Sequence, residues 1–431
     1  MDKNQRVLTS ECSEHVNEVV CLKGWIHRVR NLRKVSFVIL KDRSGMIQCV
    51  LGGELTNFKC TNESAVELSG KVVSTAQQES GVEIHVDDIK VLSPSVPMPF
   101  EVNNDDIEAN LDIVLNHRVL SMRNQKVQSI FKIQSKIVEA FQEYLRNKSF
   151  IQIFTPKLTS QGAEGGANVF KLPYFGKEAY LAQSPQFYKQ KMISAGYERV
   201  FEVAPVFRAE EHNSSRHLNE YTSMDVEVGF IDGYEELMKL ENQLLIHIFQ
   251  MVKQSCSNEL RLLNIELPEL KVFPKLSLLE AQHILMEQFE KTSPKGDLDR
   301  EGEKLISEYI EKEFSSPFVF ITNYPTDKRP MYTMPNQNNI EWTDSFDLIY
   351  KGVEITSGGQ RIHDYHQLIK SIVSKGLILD DFKSYTDIFQ YGVPPHGGFA
   401  IGLERLTAQM LDIKNVREAT AFPRDCDRLT P

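Results

Sequence analysis

The sequence is poor in residues that staple or metallate a fold. Its 431 residues hold only six cysteines, and no two form a CxxC pair. Scattered as Cys12, Cys21, Cys49, Cys60, Cys256 and Cys426, they exclude a disulfide framework and a thiolate zinc site, and read as reduced thiols of a cytoplasmic protein. His212, His217, His363 and His366 fall near one another in pairs, but without cysteine partners they lack the usual zinc-ligand spacing. No apolar run approaches the roughly 18 residues of a membrane span. The opening MDKNQRVLTS lacks the apolar core of a signal peptide, so no membrane association is expected. Also missing are a GxxxxGK[ST] loop and a GxGxxG after a strand, which leaves neither a P-loop nor a Rossmann site. Nor is there surplus positive charge, since a net charge of −10 argues against a protein that coats nucleic acid indiscriminately.

One local exception stands out. Between Lys23 and Arg43 lie Lys23, Arg28, Arg30, Arg33, Lys34, Lys41 and Arg43, with Asp42 as the one acid. An acidic chain with a single basic stretch suggests a bounded nucleic-acid contact, although charge alone slightly favours a solvated hairpin. The stretch lies in a region, residues 1–100, that reads as all-β. The runs VVCLKGWIHRV, VSFVILKD, MIQCVL, AVELSGKVVST and VEIHVDDIKVL are separated by turns such as Asp42-Arg43-Ser44-Gly45 and Glu79-Ser80-Gly81. About five strands at this spacing fit an OB-type Greek-key barrel. Pro94, Pro97 and Pro99 end it, and residues 101–126 read as a hinge.

From residue 127 to 431 the pattern changes. Ile130, Ile133, Ile137, Phe141 and Leu145 recur at helical spacing, which predicts an amphipathic helix of about five turns. A strand-like Phe150–Phe154 follows and stops at Pro156. Further strands are expected around 200–207, 222–230 and 346–356, a helical region near 234–313 and a last helix near 403–411. The mixture lacks βαβ alternation and predicts α+β with a mainly antiparallel sheet flanked by helices.

Three segments carry chemistry. In FRAEEHNSSRHLNEY, Arg208 and Arg216 flank a polar, turn-rich loop between two strand-like limbs. A hairpin there would close two guanidinium forks over one phosphate or carboxylate. Asp347 and Glu354 lie seven apart, on opposite faces of an uninterrupted strand, but a turn at Tyr350-Lys351-Gly352 would bring them together across a hairpin. With Ser357 they would suit Mg²⁺, which takes few protein oxygens and the substrate's phosphates; an ordinary polar strand pair is the plain alternative. Finally, in GGFAIGLER the glycines permit close approach of a ligand, and Arg405 sits in the first turn of the helix that follows.

The helix and strand ending at Pro156, the Arg208 hairpin and Gly402-Leu403-Glu404-Arg405, in this order, are the three signature motifs of class II aminoacyl-tRNA synthetases. Over nearly its whole length the chain resembles that family and, with a barrel in front, the subclass of aspartyl, asparaginyl and lysyl enzymes. The strings EGGANVF, YLAQSPQFYKQ, FRAEEHNSSRHLNEYTSMDVEVGF, SGGQRIHDY and FPRDCDRLTP resemble the aspartyl enzymes of archaeal and eukaryotic type.

The resemblance implies ATP, Mg²⁺, L-aspartate and tRNA(Asp) as ligands, a cytoplasmic homodimer, and a set of roles. Arg208 and Arg405 would be catalytic, Arg208 on the α-phosphate and the aspartate carboxylate. Glu210 would face the adenine, Tyr221 and Arg405 would sandwich it, and Arg216 and His217 would reach the terminal phosphates. Leu218, Glu354 and Gly402 would complete the ATP site. Aspartate would meet Glu164, Ser184, Gln186, Lys189, Arg208, Asp225, Ser357 and Arg361, and the metal Asp347, Glu354 and Ser357. Ala400 stands where the family usually has glycine. The homodimer would form through the long helix and the Pro156 strand, whose apolar faces would otherwise lie exposed.

Other readings differ by residue. Asparaginyl enzymes generally lack the lysine of SPQxxK and have glutamate at the place of Asp225. A paralogue that amidates free aspartate lacks the barrel, and a non-catalytic tRNA-binding descendant would be expected to lose Arg208, Glu354 or Arg405. In the barrel, Phe37 is expected to stack a splayed anticodon base and Gln48 to bond a base edge, with His27, Arg30 and Glu79 nearby. Strict archaeal-type members tend to carry tryptophan where His27 stands and a later-loop lysine, against Gln77-Gln78-Glu79-Ser80 here. Charging of tRNA(Asn) beside tRNA(Asp) is therefore expected.

Overall fold

A computed structural model describes residues 5–78, 81–160, 168–211 and 214–431. It divides into two compact units, Met1–Val114 with Val119–Asn124, and Leu115–Arg118 with Gln125–Pro431. In the first, strands β1 (Val19–Asn31), β2 (Ser36–Lys41), β3 (Met46–Leu51), β4 (Ala65–Ser74) and β5 (Val82–Ser93) close a barrel in the order β1-β2-β3-β5-β4. Alternation dictates its inside. Leu22, Val38, Leu40, Cys49, Val66, Leu68 and Ile84 fill the core, while their sequence neighbours point outward. Closure brings backbones tight against each other: a Cβ on Gly24 would stand 2.4 Å from the Lys41 carbonyl oxygen. One irregularity bears on function. Ile26 pairs with Leu40 and Arg28 with Ile39, so His27 is the extra residue of a β-bulge.

The second unit carries β6 (Ile151–Gln152), β7 (Leu158–Thr159), β8 (Lys171–Tyr174), β9 (Lys177–Leu181), β10 (Arg199–Phe207), β11 (Glu220–Gly229), β12 (Lys275–Ser277), β13 (Phe318–Thr322), β14 (Ser345–Tyr350), β15 (Val353–Arg361) and β16 (His396–Gly402). Eight of them form one sheet, β12-β13-β14-β15-β16-β11-β10-β6, antiparallel except at its two end pairs. The mainly antiparallel α+β arrangement is the one the sequence predicts. Helices Gln125–Asn147 and Tyr234–Ser255 share a core with Met224, Val226, Phe346, Leu348, Phe399 and Ile401 and cover one face. Helices Leu278–Phe289 and Arg300–Phe314 pack with Val319, Ile321 and Ile349. The opposite face of β11, β15 and β16 lines two clefts.

Three expectations need correction. The apolar stripe of Gln125–Asn147, from Ile130 to Leu145, is buried in its own subunit, because helix Tyr234–Ser255 is long enough to cover it, so that face needs no second copy. The strand expected over 150–154 shortens to Ile151–Gln152, leaving Phe154 84% exposed. The helical region near 234–313 is interrupted by β12, which pairs in parallel with β13.

Candidate active site

The cleft-lining sheet face is built by alternation along β11. Met224, Val226 and Val228 enter the core, so Ser223, Asp225 and Glu227 face the other way, and all three are buried. The β10–β11 hairpin then sets the Arg208 loop. Phe207 pairs with Glu220, the Arg208 amide donates to the Asn219 carbonyl (2.9 Å), and the Asn219 side chain donates back to the Arg208 and Glu210 carbonyls at 2.7 and 2.9 Å. The Arg208 guanidinium lies 5.5 Å from the Tyr221 ring centroid.

One cleft is lined by Arg208, Glu210, Arg216, His217, Leu218, Tyr221, Glu354, Gly402 and Arg405. These are all nine residues expected at ATP. Arg405 donates to the Glu354 carbonyl (3.1 Å). Arg216 donates to Glu303 (3.0 Å) and to the Gly352 carbonyl (3.1 Å). Burial together with the Glu354 charge pushes Glu303 up to about 7. Burial also lifts Glu404 to about 7, and its carboxylate accepts the Thr222 amide at 3.0 Å.

A second, larger cleft of about 710 Å³ is lined by Ser184, Gln186, Arg208, Asp225, Ser357 and Arg361, among others. The two meet at Arg208, Ser357 and Ala400. Of the eight residues expected at aspartate, Glu164 lies outside the described residues. Lys189 is buried beneath the wall, with its ammonium 2.8 Å from Asp225 and 3.4 Å from Glu227. Arg361 reaches Glu227 at 3.0 Å and donates to the Gly398 carbonyl (3.0 Å). That approach, and the packing against β11, require glycine at 398, where a Cβ would fall 2.1 Å from the Val226 oxygen. Burial raises Glu227, but Arg361 and Lys189 pull it further down; burial drives His396 down to about 4.

Asp347 and Glu354 do come together across the β14–β15 hairpin. Asp347 pairs with Ser357 and Glu354 with Ile349, a register shift between Leu348 and Ile349 allowing it. Burial and the Asp347 charge raise Glu354, against Arg405, Arg329 and Arg208. Two carboxylates and a hydroxyl on one hairpin are the donor types that a hard cation takes.

Two functional candidates escape sequence reasoning. Glu227 was visible as the period-two partner of Asp225. Arg329, 2.8 Å from Asp347 and donating to the Ser357 hydroxyl at 3.1 Å, arrives from a loop with no local signal.

In the barrel, Arg30 pairs with Phe37, and Gln48 with Ile39 on the neighbouring row of the same face. Gln48 donates to Glu83 at 2.9 Å. His27 stands apart. Its ring is 3.8 Å from the buried Glu63 carboxylate and its side chain is 12% exposed. Glu79 lies outside the described residues.

Two adjoining clefts that share Arg208, one of them also lined by Arg216 and Arg405 and the other by Arg361, offer guanidinium forks to phosphate or carboxylate oxygens. A family model for class II tRNA synthetases (D, K and N) matches residues 110–426, and one for the OB-fold nucleic acid binding domain matches residues 20–92. The chain is 46% identical to the aspartate–tRNA(Asp/Asn) ligase of Thermus thermophilus, covering 99% of this chain and 100% of that one. It is 45% identical to the ligase of that name from Deinococcus radiodurans, covering 99% of each. Among solved structures it is similar to asparaginyl-tRNA synthetase from Pyrococcus horikoshii complexed with asparaginyl-adenylate, with 30% identity and a TM-score of 0.91, over 99% of this chain and 100% of that one. The chain belongs to the class II tRNA synthetases of the D, K and N group, and is an aminoacyl-tRNA synthetase.

Proposed function

We propose that the chain is an aspartate–tRNA ligase that charges tRNA(Asp) and also tRNA(Asn). The observation that carries the amino acid is the buried pair of cations, Lys189 and Arg361, held by Asp225 and Glu227 at the floor of the second cleft. Cationic donors suit a β-carboxylate, whereas a carboxamide also needs an acceptor.

The aspartate α-carboxylate oxygen attacks the α-phosphorus of ATP, and the bond to pyrophosphate breaks. The terminal ribose hydroxyl of tRNA then takes the aspartyl group, and AMP leaves. Arg208, on the wall of both clefts, bridges carboxylate and phosphate, where fixed positive charge stabilises the developing negative charge. Tyr221 and Arg405 sandwich the adenine, with Glu210 at its edge. Arg216 and His217 hold the outer phosphates. Asp347, Glu354 and Ser357 would hold Mg²⁺, which neutralises phosphate charge when bound.

Two further parts belong to the reading. The enzyme is a homodimer, supported by the exposed apolar side chains Ile151, Phe154 and Leu158. The barrel reads the anticodon with Phe37, Gln48, Arg30 and His27, and the relatives named for both tRNAs support the relaxed specificity that His27 suggests. ATP–pyrophosphate exchange with each amino acid, followed by charging of tRNA(Asp) and tRNA(Asn) transcripts, tests the amino-acid and tRNA readings. Equal exchange with asparagine would overturn the aspartyl reading, and a preference for tRNA(Asp) of roughly several hundredfold would overturn the relaxed one.

A further inference from the structure

The residues proposed for the metal are already in contact with a cation of the protein's own. Arg329 sets one nitrogen 2.8 Å from Asp347 Oδ1 and donates with another to Ser357 Oγ at 3.1 Å. Its guanidinium lies 3.8 Å from the centroid of the buried Tyr324 ring. The Arg329 and Asp347 side chains are 13% and 8% exposed, so the pair is little screened by solvent. Glu354 differs. Its side chain lines the nucleotide cleft, and no described side chain donates a hydrogen bond to its carboxylate.

A planar fork anchored on an aromatic face does two things at once. It fixes the rotamers of Asp347 and Ser357, and it places a full positive charge where a second cation would have to come. Coulomb repulsion between a guanidinium and a divalent ion is strong in a poorly solvated site. The protein alone then offers the metal one carboxylate, whereas Mg²⁺ demands more oxygens and usually takes them from substrate phosphates.

We propose that Arg329 is a resident cation and positioning residue that makes divalent-metal binding conditional on the nucleotide. The metal enters with the phosphates, bound through Glu354, and Asp347 is held in place for it by Arg329. Without a nucleotide the site rejects the ion, and once pyrophosphate leaves nothing retains it. The inference rests on the proposed metal site, and not on which amino acid is activated.

Mn²⁺ is the probe, with free Mn²⁺ read by electron paramagnetic resonance on the full chain. In the wild-type protein a non-hydrolysable ATP analogue should tighten Mn²⁺ binding by about tenfold or more. Arg329→Gln should raise nucleotide-free affinity by about tenfold, and adding Asp347→Asn to that variant should remove the gain. Arg329→Lys, which keeps the charge, should stay near wild type. Wild-type affinity that ignores the analogue overturns the proposal without any variant. A folded Arg329→Gln protein with unchanged nucleotide-free affinity overturns it as well. Aspartate-dependent pyrophosphate exchange on the same wild-type sample reports separately on the amino-acid reading.

Discussion

Replacing Lys189 by methionine keeps the side-chain length and deletes one charge from a closed account. Lys189 and Arg361 face Asp225 and Glu227 at 2.8–3.4 Å, all four buried, and His396 is neutral near pH 7 because burial holds it down at about 4. Two cations balance two carboxylates. Loss of one leaves an uncompensated buried negative charge, which costs about 3–5 kcal/mol. With an unfolding entropy of ~2.1 cal/mol/K per residue over the larger unit, that cost lowers Tm by roughly 5–8 °C. The same surplus charge meets the β-carboxylate of aspartate but not the neutral amide of asparagine. The preference for aspartate should therefore fall by about 2–5 kcal/mol, or roughly thirtyfold to several thousandfold in relative kcat/KM. Pyrophosphate exchange with both amino acids and a thermal melt read the two effects. Adding Asp225→Asn restores the charge balance, so the double variant should recover part of the Tm. If Lys189→Met and Arg361→Ala both kept the wild-type aspartate-to-asparagine ratio, the pocket would be misplaced.

Arg208→Ala and Glu354→Ala should each lower aspartate-dependent exchange by about a hundredfold or more with the fold intact; substantial exchange would remove either from the mechanism. Glu241, in helix Tyr234–Ser255 beside Thr356, is raised to about 8 by burial, with Asp347 adding to the rise. The folded state then binds more protons than the unfolded one between about 4.3 and that value, so stability falls as pH rises through this window. Tm measured against pH should show Glu241→Gln gaining on wild type across it, and parallel profiles would count against a buried proton. Sedimentation at micromolar concentration should find a dimer, weakened by Phe154→Glu; a fully active monomer would contradict the interface. His27→Trp should shift charging toward tRNA(Asp) by about a hundredfold or more, and an unchanged ratio would make His27 a mere barrel residue.

What could be read from the sequence was whatever depends on local period and turn chemistry. The five barrel strands alternate cleanly, and the hairpins around Arg208 and around Lys351-Gly352 follow from strand-like runs on either side of turn residues. Every residue expected at the nucleotide sits on those hairpins or on the helix start at Leu403, but it was the family resemblance that assigned them to ATP, and tertiary structure that brings the three elements to one cleft. Tertiary partners were less visible. The stripe of Ile130, Ile133 and Ile137 states that something must cover it, but whether that is the protein's own Tyr234–Ser255 helix or a second copy depends on chain topology. Arg329 lies 18 residues before Asp347 in sequence, in the same chain segment, yet no periodicity links the two. That His27 turns toward Glu63 was not legible in the sequence, because the bulge that places it there depends on pairing with β2.

The buried carboxylate that sequence reasoning missed supplies the stronger argument for aspartate over asparagine. A carboxamide ligand needs an acceptor for its NH₂ group, and the acidic floor holds two carboxylates, Asp225 and Glu227. Glu227 is not available, because its Oε1 accepts from Arg361 at 3.0 Å and from Gln186 at 3.3 Å, and its Oε2 from Gln186 at 3.3 Å with Lys189 at 3.4 Å. Asp225 accepts from Lys189 at 2.8 Å and from the Ser223 hydroxyl at 2.5 Å. The Gln186 oxygen is likewise engaged by Arg361 at 3.3 Å. On the proposed reading, a β-carboxylate adds acceptors to a cluster whose cations have donors to share, while an amide adds a donor pair to a cluster whose acceptors are already engaged. An amide seated there would have to share Asp225 with Lys189 and Ser223, and it would forfeit the charge-assisted bonds that a carboxylate takes from the buried cations. Glu227→Gln leaves the cluster one positive charge in surplus, so it should strengthen the preference for aspartate over asparagine even though it removes no group expected to touch the ligand, and an unchanged ratio would count against the charge balance.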